Sequence, residues 1–237
     1  MMLLAVNTST LQFGLALLED DGTIVAEYVS SRGKGHFESL LPALTFLCET
    51  SRRDVREVEA LIVATGPGSF TGLRVGLSAA KGLCHALEAP IIGISSLEAL
   101  ASQIPYSDLP IASILDSRKG EVFTARFRYR DGGNLLRQDK DICLKIEDLP
   151  TLFDEPVLIV GNDFRAQGPL IQDVLGPSRA FLAPAPCWTV RASSVGFLGL
   201  RRFHSQEFDD PQSLNPVYLR PPDIRPNPHR LTSQRGA

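Results

Sequence analysis

Glycine, proline and small hydroxyl side chains crowd the run Thr65-Gly66-Pro67-Gly68-Ser69-Phe70-Thr71-Gly72-Leu73-Arg74-Val75-Gly76. Such a run holds the backbone in shapes that side chains obstruct, where an anion or a second backbone approaches closely. It is not a nucleotide P-loop, because Gly72 is followed by Leu73 and Arg74 in place of Lys and Ser/Thr. Ser69 and Thr71 carry hydroxyls, but no His or Asp motif marks either as a nucleophile. Both suit the capping of a following helix.

Other reactive groups are sparse. His36, His85, His204 and His229 show no His-x-x-x-His or His-Glu-x-x-His spacing, so no metal site is expected. Asp116 ends an apolar run and either holds a magnesium ion or caps a turn, the turn being the commoner role. Arg126, Arg128 and Arg130 alternate with Phe123, Ala125, Phe127 and Tyr129. That pattern offers cations to phosphates, although a solvated outer strand face is the commoner explanation. Trp188 reads as packing. Cys48, Cys84, Cys143 and Cys187 form no Cys-x-x-Cys pair and read as reduced structural thiols of a cytoplasmic protein.

These groups need elements to hold them. Leu3 to Val6 reads as a buried strand ending at Asn7-Thr8-Ser9. Phe13 to Leu18 and Ile24 to Val29 are strands joined by the turn Asp20-Asp21-Gly22. A helix from about His36 to Thr50 precedes a strand over Leu61 to Ala64. After the glycine run comes a helix from about Gly72 to Glu88, then a strand at Pro90 to Ile94 and a short serine-capped helix at Ser96 to Gln103. Ala5-Val6-Asn7-Thr8 with Gly14 is echoed by Ile114-Leu115-Asp116-Ser117 with Gly120. A strand from Val122 to Tyr129, a turn at Asp131-Gly132-Gly133, a strand at Val157 to Val160, the Gly161-Asn162 loop and a helix from Phe164 to Leu175 complete the echo. The expected fold is α/β with two β-β-β-α-β-α lobes, over 1–105 and 106–220. The proline-rich tail, 221–237, is expected to be extended or disordered.

With 237 residues, 43% hydrophobic and 22% charged, the composition is that of a soluble globular chain. A net charge of −3 argues against a free-standing nucleic-acid binder. Met1 to Asn7 lacks a basic n-region, and no apolar stretch approaches the ~20 residues that cross a bilayer. Neither a signal peptide nor a membrane role is expected.

The two long helices are greasier than one sheet requires. The second has a polar stripe of Arg74, Ser78, Lys81, His85 and Glu88, and the rest is apolar or glycine. Covering a sheet takes a stripe ~100° wide, and this one is about twice that. The first places Phe37, Leu41, Leu44 and Cys48 in one strip and His36, Leu40, Ala43 and Leu47 in the next. Either the helices pack on each other, or a partner's helices complete a bundle. The expected partner-facing residues are His36, Leu40, Ala43, Leu47, Gly72, Val75, Gly76, Ala79 and Leu83. Bulk or charge at Gly76 or Ala79 is expected to abolish association and spare the fold.

The blocks Asn7-Thr8-Ser9, His36-Phe-Glu-Ser-Leu-Leu-Pro42, Gly66 to Gly76, Gly93-Ile-Ser-Ser-Leu-Glu-Ala-Leu100, Asp116-Ser-Arg-Lys-Gly-Glu-Val122 and Tyr218-Leu-Arg-Pro-Pro222 together resemble the TsaB (YeaZ) family of tRNA threonylcarbamoyladenosine biosynthesis proteins. The likeness covers nearly the whole chain. It implies an actin-like/Hsp70-like ATPase (RNase H-like) fold and a cytoplasmic subunit of the machinery that modifies the adenosine beside the tRNA anticodon. It implies that catalysis belongs to a sister subunit of the same fold, TsaD, that this chain pairs with TsaD or, when alone, with itself, and that an ATPase subunit, TsaE, binds the assembled pair. Contact with tRNA would be indirect.

The sister's metal site has two histidines four apart, at positions matching Ser96 and Leu100 here. Its first phosphate-type turn has Asp where this chain has Asn7, which brings no negative charge to a hydrated cation. The resemblance therefore implies a scaffold with no catalytic, cofactor or metal residues of its own. The alternative is a metal-dependent endopeptidase-like or phosphotransferase enzyme of the same fold, and direct tRNA binding through Arg126, Arg128 and Arg130 is a weaker third reading.

Overall fold

The computed structural model of the chain describes residues 1–30, 36–130, 133–162 and 164–221, apart from the side chains at 36, 37 and 166. The expected turn at Asp131-Gly132 and the tail beyond 221 lie outside the described residues. β1 (Met2–Asn7) is buried at every position, as a strand with neighbours on both edges and cover on both faces must be. It pairs antiparallel with β2 (Phe13–Glu19), which pairs antiparallel with β3 (Ile24–Ser30). A 3-10 turn at His36–Ser39 leads into α1 (Leu40–Ser51). Then β4 (Val58–Gly66) runs parallel to β1, α2 (Phe70–Leu87) follows the glycine loop, and β5 (Ile91–Ser95) lies parallel to β4. The strand order is β3-β2-β1-β4-β5, and α3 (Ser96–Ala101) closes this half.

The second half rebuilds the same order. β6 (Ile111–Arg118) pairs antiparallel with β7 (Glu121–Arg130), whose far edge is taken in turn by β8 (Asn134–Arg137) and β9 (Ile142–Lys145). β10 (Val157–Gly161) and β11 (Ala180–Leu182) extend the other side in parallel, on either side of α4 (Phe164–Leu175). The third strand of the repeat is thus split in two. The helix expected after it is replaced by a 3-10 turn at Ile146–Thr151 containing Pro150. Proline lacks the amide that a longer helix would need there, and six residues suffice to cover the sheet with Ile146 and Leu149.

Period-two alternation sorts the side chains into three cores. Leu4, Val6, Leu15 and Leu17 meet Leu44, Leu47, Leu77 and Ala80 of α1 and α2. Leu3, Ala5, Leu18 and Ile62 face inward, toward α3, Phe123, Phe127 and Val160. Ile114 and Ile159 face out onto Leu149, Phe164 and Ile171. α5 (Ala192–His204) follows the second lobe in sequence, yet its Ala192 and Val195 join the inward core of the first sheet. Glu27 of β3 anchors it, accepting from the Ser193 amide at 3.0 Å and the Ser193 hydroxyl at 2.9 Å at the helix start.

Candidate functional site

The turn after β1 and the glycine loop are pressed against each other. The Ser69 amide donates to the Ser9 carbonyl at 2.7 Å. A Cβ at Gly68 would sit 2.1 Å from that same Ser9 oxygen, so only glycine admits the contact. The close approach encoded by the glycine loop is therefore that of the chain's own backbone. Ser69 accepts from the Gly72 amide at 3.2 Å, which caps α2 as its position in the sequence requires, whereas Thr71 is exposed. One turn further on, the Thr8 hydroxyl donates to the Gly72 carbonyl at 2.7 Å. A Cβ at Gly76 would lie 2.0 Å from Thr8 Oγ1.

Asn7 is fully buried and both ends of its amide are engaged. Nδ2 donates to the Val190 carbonyl at 2.7 Å, and Oδ1 accepts from the Ser9 amide at 3.0 Å and the Ser9 hydroxyl at 2.7 Å. The Val190 amide in turn donates to Asn162 Oδ1 at 3.4 Å, and Asn162 Nδ2 donates to Gln12 Oε1 at 2.8 Å. The polar groups of the two loops thus stitch the lobes together. Ser96 and Leu100, at the positions that match the sister family's histidines, are both fully buried in the core. On the opposite side, Asp116 is exposed and accepts from the Arg118 amide at 3.0 Å and Gln167 Nε2 at 2.9 Å, the capping role.

A strap runs from α5 across β5 and the glycine loop. Asp209 accepts from the Gly93 amide at 2.7 Å and pairs with Arg202 at 3.1 Å. The Val217 amide donates to the Thr65 carbonyl at 2.8 Å, and the Tyr218 ring lies 4.9 Å from that of Phe70. Arg220 then reaches the second lobe, donating to the Ser117 carbonyl at 2.8 Å and pairing with Glu121 at 3.1 Å. The only sequence signal for it is the Tyr-Leu-Arg block itself, since the block's partners Phe70, Ser117 and Glu121 lie far back in the sequence.

The outward side of α1 and α2 forms a second candidate site. Of the nine residues expected to face a partner, Leu40, Ala43, Leu47, Gly72 and Gly76 are buried within the chain. This corrects the choice of strip: a helical wheel shows two apolar strips but not which one the sheet takes. Val75, Ala79 and Leu83 are half-buried, and the His36 side chain lies outside the described residues. What remains outward on α1 is Leu41, 58% exposed, and Phe46, 56% exposed. An open groove of about 610 Å³ runs beside Leu41, lined by Leu44, Cys48, Val55 and Leu83 and rimmed by Glu49 and Arg52, while Phe46 lies edge-on to Tyr28. Burial, then the fields of Asp54 and Glu57, push the Cys48 thiol up, so it stays protonated and unreactive there.

The remaining candidates have structural partners. Arg126 pairs with Asp139 at 3.0 Å and Arg128 with Glu155 at 2.9 Å, so the arginine face is largely matched by carboxylates. Trp188 donates to the Ala183 carbonyl at 2.7 Å and meets Phe164 edge-on. Among the described residues no group of three or more His, Cys, Asp or Glu converges, and no helix is long and apolar enough to cross a membrane.

Comparison with known proteins fits this architecture. The family model TsaD, described as tRNA N6-adenosine threonylcarbamoyltransferase, matches residues 23–153. The tRNA threonylcarbamoyladenosine biosynthesis protein TsaB of Bacillus subtilis (strain 168) is 37% identical over 225 residues, spanning 93% of this chain and 94% of that protein. The protein of the same description from Escherichia coli (strain K12) is 32% identical over 149 residues, 62% of this chain and 64% of the relative. Among solved structures, YeaZ from Pseudomonas aeruginosa superposes with a TM-score of 0.76 at 24% identity, covering 92% of this chain and 99% of that one, a likeness of fold.

Proposed function

The chain belongs to the TsaB (YeaZ) family of tRNA threonylcarbamoyladenosine biosynthesis proteins, and on that premise we propose that it serves as a non-catalytic subunit that docks and supports the transferase subunit TsaD. The observation that carries this reading is the outward face of α1 and α2. Leu41 stands in solvent over the groove it shares with Leu83, with Val75 and Ala79 half-buried on the same helix as Leu83, and Phe46 is exposed on the far side of α1, edge-on to Tyr28. Burying a Leu or Phe side chain that is now half exposed contributes about 1 kcal/mol each, so a handful of such contacts supports a stable helical interface.

The bonding of the loop pair around Asn7 supports the non-catalytic part of the proposal. A group that holds a hydrated cation must have lone pairs to spare, and Asn7 is fully buried with both acceptor positions of its Oδ1 taken by Ser9. Homodimerisation through the same face, and recruitment of TsaE by the assembled pair, belong to the same proposal. A second reading, a transferase in its own right, draws on the TsaD family match over residues 23–153.

One experiment separates them. The purified chain is mixed with the family's transferase subunit, and the assembly is weighed by light scattering after gel filtration, with transfer activity assayed for each component alone. A complex lost in Leu41→Glu and Ala79→Glu, with no transfer by this chain alone, is the expected result. Transfer by the isolated chain, or a complex indifferent to both substitutions, overturns the proposal.

A further inference from the structure

A second cavity, of about 390 Å³, opens where the strap crosses α2. One wall carries Arg74, Ser78 and Lys81, spaced four and three apart so that they share a helix face. The other is Asn215, Pro216 and Tyr218 of the strap. Several arginines elsewhere are matched by acids, among them Arg126 with Asp139, Arg137 with Asp141, Arg202 with Asp209 and Arg220 with Glu121. Among the described residues, neither Arg74 nor Lys81 has a carboxylate within 4.0 Å. Asp210 lies within the field of Lys81 but accepts from the Gln212 amide at 2.9 Å within its own loop.

The balance of donors and acceptors fixes the chemistry. Arg74 Nε donates to the Tyr218 phenol oxygen at 2.9 Å, which leaves the phenol proton free to be given outward. The Arg74 guanidinium lies 3.9 Å from the centroid of the Phe70 ring, so stacking holds its fork in place and leaves its terminal nitrogens unspent. The Lys81 ammonium and the Ser78 hydroxyl add further donors. Two cations and two hydroxyls around one hollow match a tetrahedral dianion better than a single carboxylate, which offers fewer oxygens. We propose that this hollow binds the phosphate end of a small phosphorylated ligand. Its volume falls in the range of small-molecule sites, about 300–1,000 Å³, and leaves room beyond one phosphate group.

Calorimetric titration of the full chain with pyrophosphate, inorganic phosphate and AMP tests this. Saturable pyrophosphate binding is expected, weakened by salt and about tenfold or more weaker in Lys81→Glu. AMP binding more tightly than inorganic phosphate would identify a nucleotide-type ligand; equal binding would identify the bare anion, and both agree with the proposal. Lys81→Gln, which keeps the stem of the side chain, guards against a folding artefact and should show a smaller loss in a protein with an unchanged melting temperature. Absence of binding by all three probes, or binding that Lys81→Glu leaves untouched, overturns the site. Neither outcome bears on docking of the transferase subunit, whose test reads assembly through Leu41 and Ala79.

Discussion

The two lobes carry the same strand order and spend it differently. In the first, the turn after the leading strand is buried, with Asn7, Thr8 and Ser9 bonded into their own surroundings. In the second, the equivalent turn leaves Asp116 in solvent. The connection after the third strand reverses the contrast: the first lobe has α1, twelve residues long with Leu41 and Phe46 facing out, and the second a six-residue 3-10 turn that keeps Ile146 and Leu149 in. An extra turn or two of helix buys nothing for a sheet already covered. What it adds is a second apolar face, the one on which the proposed docking rests.

The severest way to break that comparison is to put bulk at the junction of the first turn with α2. Gly76→Val should cost about 3 kcal/mol in urea denaturation, because its Cβ alone would overlap Thr8 Oγ1 at 2.0 Å. Ala79→Glu, one turn on and half-buried, should stay within about 0.5 kcal/mol of wild type. Equal stability of the two variants would mean that the small-residue stripe lies outside the core after all.

Next in size is the anchor that ties α5 to the first sheet. Glu27→Ala leaves the Ser193 amide without its acceptor and strips the partner from Arg191, bonded through Nε at 3.0 Å. Its carboxylate also holds the Arg191 guanidinium more firmly protonated, chiefly by hydrogen bonding. A loss of about 2 kcal/mol is expected from the denaturation midpoint, whereas Glu27→Gln, which still accepts, should lose about half as much. Identical losses would show that charge alone anchors the helix.

Much of this was legible beforehand, and the failures share a cause. The hairpins, the parallel strands and the α2 cap at Ser69 follow from local periodicity and from turn residues within a few positions of each other. The α/β fold with two lobes followed from the echo of Asn7-Thr8 in Asp116-Ser117. The helix expected from His36 begins as α-helix only at Leu40, since Ser39 makes no side-chain cap bond and the chain enters through a 3-10 turn. Which strip of α1 meets the sheet, why Gly68 and Gly76 are glycines, and where the strap lies all depend on partners such as Ser9, Thr8 and Thr65, distant in sequence. Amphipathicity shows how much surface must be covered, and says nothing of what covers it.

The smallest expected effect lies in the split strand of the second lobe, where Arg137 pairs with Asp141 and also donates to Ser95 Oγ of the first lobe at 3.0 Å. Burial raises the Asp141 carboxyl above its ordinary 3.8, outweighing the charge and hydrogen bond of Arg137 that pull it down. The folded chain therefore keeps this proton at pH values where the unfolded chain has lost it. Stability contributed by the site is full below the unfolded value and falls as pH rises through the folded one. Relative to wild type, Asp141→Asn should fare worst in strongly acid solution and best near neutrality, a drift of under about 1 kcal/mol in denaturation midpoints taken across the acid range. A drift of the opposite sign would mean that Arg137 wins over burial, and that the contact between the lobes is held by charge in the way Arg220 and Glu121 hold theirs.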